Sequence, residues 1–185
     1  MSAKELPGTA IAITKDLWFC LVDETFRAPN SSKSYVYFSS EKNLIYTAFF
    51  ADFGPLNLGL MCTFCSQLQE LLASSVREGK AVVVYASNPQ SHSNFAVLVC
   101  AYQIFVLGYS AEKAYAPFMG RAPFIPFRDA AFCINTWPLF VIGTPCHVML
   151  CFALLCCAVL CCAVLRCAVL CCAVLCCVDR LIEAF

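Results

Sequence analysis

Apolar positions recur along this chain with two different periods, and the change of period marks its elements. LWFCLVD (17–23) is a short apolar run between polar neighbours and predicts a strand. RAPNSSKS (27–34) has the composition of a loop, and YVYFSS (35–40) predicts a second strand. The period then lengthens. In ADFGPLNLGLMCTFCSQLQELL (51–72), Gly54-Pro55 interrupts the chain. Beyond it Leu60, Phe64, Leu68 and Leu71 fall at helical spacing, joined by Met61, Cys65 and Leu72, with Thr63, Gln67 and Glu70 between them. That is an amphipathic helix with one buried face. AVVVYA (81–86) is continuously apolar, as a strand central in a sheet would be. Behind Asn94 a helix over 94–108 is apolar on nearly every side. At about 14 residues it is short for a bilayer, so it predicts a buried core helix. Ser110 caps a short helix in SAEKAYAPFMG with Glu112 near its positive end, and RAPFIPFRDAAF (121–132) is an extended loop held by prolines. Together these elements predict an α/β fold: a single domain with a central sheet flanked by helices.

Composition divides the chain in two. Basic and acidic residues balance at 12 each, which gives no basic face and no support for nucleic-acid binding. The apolar fraction of 61% exceeds that of an average soluble domain, and the excess is concentrated at one end. Of 16 cysteines, Cys20, Cys62, Cys65, Cys100, Cys133 and Cys146 are dispersed, and the remaining ten crowd into residues 151–177. MSAKELPGTA has no apolar core of the secretory kind, so reduced thiols in an intracellular protein are expected rather than a disulfide framework.

From Cys157 the chain repeats with a period of five, CAVLC CAVLR CAVLC CAVLC C, with one departure at Arg166. Three copies of the pentanucleotide GCTGT read as Ala-Val-Leu-Cys-Cys, so a tandem DNA repeat accounts for the segment without selection on the protein. A membrane anchor over 148–178 is the other reading, because about 20 mostly apolar residues suffice to span. A central arginine costs roughly 2.5–3.5 kcal/mol on insertion, which Arg166 reduces by standing near the end of such a span. The repeat is the favoured explanation and a helix the expected conformation, since Ala and Leu favour it. The expected organisation is a flexible N-terminus (1–13), one domain (14–140), an apolar cysteine-rich low-complexity tail (141–178) and a polar C-terminus (179–185).

The stretch AVVVYASNPQSHSNFAVLVCAY (81–102) has the shape of an anion cradle: strand, short polar loop, helix. Cysteine phosphatases place there a thiolate that attacks phosphorus and, six positions later, an arginine that grips the phosphoryl oxygens. None of the six arginines (27, 77, 121, 128, 166 and 180) has a cysteine six positions before it. Ala86 stands where the nucleophile would be and His92 where the arginine would be; Pro89 removes an N–H, and 86–94 contain no glycine. Ser87, Ser91, His92, Ser93 and Asn94 are therefore positions of a degenerate phosphate loop. Residual oxyanion binding at the three serines is the functional reading, and a structural loop capped by Asn94 the plainer one. Cys62-Thr-Phe-Cys65 has zinc spacing without a second matching pair, and both thiols share the apolar face of a helix, where cysteine packs well. No nucleophile elbow, P-loop or dinucleotide fingerprint occurs. No catalytic residue, metal ligand or cofactor is expected.

YTAFFADFGPLNLGLMCTFC (46–65), KAVVVYAS with SNFAVLVCAYQIFVLGYSAEKAYAPF (80–118), and PFIPFRDAAF (123–132) resemble the N-terminal domain of the cell-division-cycle dual-specificity phosphatases of mitotic exit. The likeness covers roughly residues 10–140 and fades near Thr136–Leu139. ADFGPLN and PFRDA are its most specific pieces. The resemblance implies a phosphatase-like domain without an active loop, which helps shape a substrate groove at the junction with a second, catalytic domain. It also implies a nuclear or cytoplasmic setting. Asp52, Phe53, Gly54, Pro55 and Asn57, with Pro126, Phe127, Arg128 and Asp129, are the family-motif and interdomain candidates.

The leading expectation is a non-catalytic domain truncated before its enzyme half, whose partner is a catalytic phosphatase domain or another protein. Two alternatives stand beside it. One is phosphatase activity if a catalytic domain is supplied elsewhere; the other is an interaction module anchored in a membrane by 148–178.

Overall fold

The computed structural model describes residues 6–29, 32–121, 124–128 and 130; the tail, with the helix expected there and the alternative reading of an anchor, lies outside the described residues. The described fold is α/β. A mixed four-stranded sheet has the order β1-β2-β4-β3, with β1 Thr9–Ala12, β2 Leu17–Leu21, β3 Tyr35–Phe38 and β4 Ala81–Ala86. β1 runs antiparallel to β2, while β2 and β3 both run parallel to β4. Helix α1 Leu58–Arg77 lies between β3 and β4, and α2 Pro89–Phe105 and α3 Ala111–Tyr115 come after β4, the last continued by a 3-10 turn, Ala116–Phe118.

β4 is central, and its sequence explains why. Residues 81–84 and Ala86 are fully buried, so both faces of the strand need apolar side chains. Val82, Val84 and Ala86 join Leu17, Phe19 and Ile11 in the large core beneath α1 and α2. Ala81 and Val83 point the other way, into a second core with Cys20, Val22 and Tyr35, ringed by Trp18, Phe26, Tyr37 and Tyr85. On that side Phe26 meets Tyr85 edge to face, with 5.3 Å between ring centroids.

Of the stripe expected of it, α1 buries Met61, Phe64, Cys65 and Leu68 and leaves Leu60, Leu71 and Leu72 half-buried. Each large apolar side chain taken from water contributes roughly 1.5–3 kcal/mol. That outweighs the helix penalty of about 1 kcal/mol at Gly59. α2 is buried on every side from Ser93 to Phe105. Its one long polar side chain there, Gln103, is accommodated because Nε2 donates to the Ala114 carbonyl at 3.0 Å.

Two differences from the expectations have physical causes. The sheet begins inside the stretch expected to be a flexible N-terminus, since Thr9–Ala12 pairs with β2. Only Ile11 of this edge strand is buried, which left no alternation to read. Gly8 admits the pairing: at φ +58° a Cβ there would lie 1.9 Å from the Leu21 carbonyl oxygen. The second difference is that α2 starts with Asn88 as its N-cap and Pro89 in the first turn, six residues before the expected cap at Asn94. Asn followed by Pro is a helix start, because proline lacks the N–H that a first turn leaves unpaired. Among the described residues no helix is long and apolar enough to cross a membrane.

Candidate functional site

The turn between β4 and α2 is where a phosphate would sit if this fold bound one. The early start of α2 leaves Ser87 and Asn88 as the turn and carries Ser91, His92, Ser93 and Asn94 into the helix, so the loop expected over 86–94 does not form. Asn88 Oδ1 accepts from the Ser91 N–H at 2.8 Å, and the Asn88 amide donates to Ser91 Oγ at 2.9 Å. The anion position beside Ser87 is taken by a carboxylate of the chain itself. Glu41 accepts from the Ser87 N–H and from the Ser87 hydroxyl, both at 2.8 Å.

His92 is turned onto backbone. Its Nε2 lies 3.0 Å from the Ala86 carbonyl oxygen and 3.2 Å from that of Val22. Both are acceptors, so Nε2 carries a hydrogen and donates to the ends of β2 and β4 together. An arginine in a phosphatase loop offers paired donors to an oxyanion; this imidazole spends its donor on backbone. Ala86 is fully buried and offers no functional group. Ser93 Oγ donates to the Ile125 carbonyl at 2.8 Å, tying α2 to the segment 124–128. Asn94 is only 5% exposed and its Oδ1 has no partner.

Nor do Cys20, Cys65 and Cys100 supply an activated thiol. Burial pushes Cys20 and Cys65 each up to about 12, and pushes Cys100 up as well, so the nucleophilic thiolate is disfavoured at all three. Cys65 of the Cys-x-x-Cys pair lies in the core, and among the described residues no cluster of three or more His, Cys, Asp or Glu could hold a metal.

The two most specific motifs are brought together as one joint. Phe53 and Arg128 form an antiparallel bridge: the Phe53 N–H donates to the Arg128 carbonyl at 2.9 Å, and the Arg128 N–H to the Phe53 carbonyl at 2.7 Å. Phe53 and Phe127 are buried, with ring centroids 5.1 Å apart, and Tyr46 closes edge-on over Phe53 at 5.9 Å. Asp52 accepts from the Phe50 N–H at 2.8 Å and from the Tyr46 hydroxyl. The Phe50 amide and then the tyrosine hydroxyl hold the Asp52 carboxyl below its ordinary range, while the bond to Asp52 pushes the Tyr46 phenol up to about 12. Gly54 leaves room for this tyrosine, since a Cβ would stand 3.1 Å from its ring. Asn57 N-caps α1, its Oδ1 accepting from the Leu60 N–H at 3.0 Å, and Pro55 precedes that cap. Pro126 is half-buried and the Arg128 side chain is exposed; Asp129 lies outside the described residues. Glu41 carried no signal in the sequence, because its clasp with Ser87 joins positions 46 residues apart.

Known proteins give this geometry a family. The family described as "Dual specificity protein phosphatase, N-terminal half" matches residues 11–144. This chain belongs to that family. It is 36% identical over 142 residues to the dual specificity protein phosphatase CDC14AB of Danio rerio, covering 75% of this chain and 23% of the relative. To CDC14A of Mus musculus it is 38% identical over 117 residues, 62% of this chain and 19% of the relative. To the tyrosine-protein phosphatase CDC14 of Saccharomyces cerevisiae it is 33% identical over 106 residues, 56% of this chain and 19% of the relative. The chain thus matches about a fifth of the length of these relatives. The resemblance read from ADFGPLN and PFRDA is borne out, and both motifs lie inside the matched span.

Proposed function

We propose that this chain acts as the non-catalytic N-terminal domain of a dual specificity protein phosphatase. Its role is to pack against a catalytic phosphatase domain and help shape the groove that receives substrate, within the nucleus or cytoplasm. The observation that carries the reading is the β4–α2 turn. Its anion position is filled by Glu41, its histidine is committed to two backbone carbonyls, and no cysteine stands six residues before an arginine. A phosphoryl group has neither a nucleophile to attack it nor a guanidinium to stabilise the charge that develops. The surface that continues from Phe127 and Arg128 is the proposed face toward the catalytic domain, because the joint with Phe53 fixes its direction.

The test has two arms. The purified chain should hydrolyse aryl phosphate no faster than buffer, and turnover that survives both His92→Ala and thiol blocking would overturn the non-catalytic assignment. Mixed with the separately expressed catalytic part of a CDC14 relative, the chain should bind it and raise its kcat/KM on a phosphopeptide. Absence of both effects defeats the packing role and leaves the first arm standing.

A further inference from the structure

We draw no further inference here: the strongest candidate, the exposed apolar patch of Ile45, Phe49 and Phe50 beside the Phe53–Arg128 joint, carries nothing because nothing in the structure shows what covers it.

Discussion

The β4–α2 turn and the Phe53–Arg128 joint are two regions of one domain in which notable residues serve opposite ends. At the turn, groups of the kind that could handle a ligand are turned inward: Glu41 clasps Ser87, His92 clasps two strand ends and Asn88 caps a helix. At the joint, apolar rings, backbone groups and the Asp52–Tyr46 bond do the internal work, leaving the Arg128 side chain outside and Phe49 91% exposed nearby in sequence. Polar residues at a strand–helix turn are thus no sign of chemistry until their partners are known. A conspicuous motif such as ADFGPLN can owe its form to two aromatic contacts, a bonded carboxylate and one cap.

That contrast can be broken by substitution, beginning with the largest expected effect. Phe53→Ala removes a buried ring in contact with both Tyr46 and Phe127, and should cost about 3–5 kcal/mol in chemical denaturation. A loss below about 1 kcal/mol would mean that the joint is not part of the core. At the turn, His92→Ala deletes a donor shared by the Val22 and Ala86 carbonyls, and should lower stability by about 1–3 kcal/mol. Unchanged stability with altered phosphate affinity would return His92 to the role of a ligand residue.

The two asparagines sharpen the point. Asn88→Ala should cost about 1 kcal/mol, the usual worth of an N-cap, seen as a lower melting temperature and loss of helical circular dichroism. Asn94→Ala removes a buried acceptor that has no partner and is itself costly, so it should leave stability unchanged or raise it by up to about 1 kcal/mol. The reverse order would place the start of α2 at Asn94 after all.

The smallest effect is confined to alkaline pH. Tyr46 has a folded-state pKa raised from 10.0 to about 12, so its hydroxyl favours the folded form fully below about pH 10. That contribution fades as pH rises toward 12, as the folded form in turn loses the proton. Denaturation across this window, with phenolate absorbance followed in parallel, should show the loss, and Tyr46→Phe should remove it.

Elements with a strong period were legible in the sequence: α1 from its stripe of Phe64 and Leu68, β4 from its valine run, α3 from Ser110, whose Oγ accepts from the Lys113 N–H. β1 was not legible, since a four-residue edge strand with one buried side chain has no alternation to display. The start of α2 was legible but misread, because Pro89 weighed as a loop breaker rather than as a first-turn residue. At the site, the missing nucleophile could be counted from the sequence. What fills its place could not, because neither the Glu41–Ser87 pair nor the reach of His92 to Val22, 70 residues away, leaves a local trace.

The parallel pairing of β2 with β4 sets an order on how this molecule is born. Leu17 lies opposite Val82, so the first hairpin, though made early, stands beside an empty lane until the ribosome has released the valine run. Parallel partners cannot be joined by a tight turn, and distant pairings form slowly. A nascent chain stopped before residue 81 would hold Trp18 and Phe19 with no β4 to lie against, and it is at that length that a holding chaperone should be found attached.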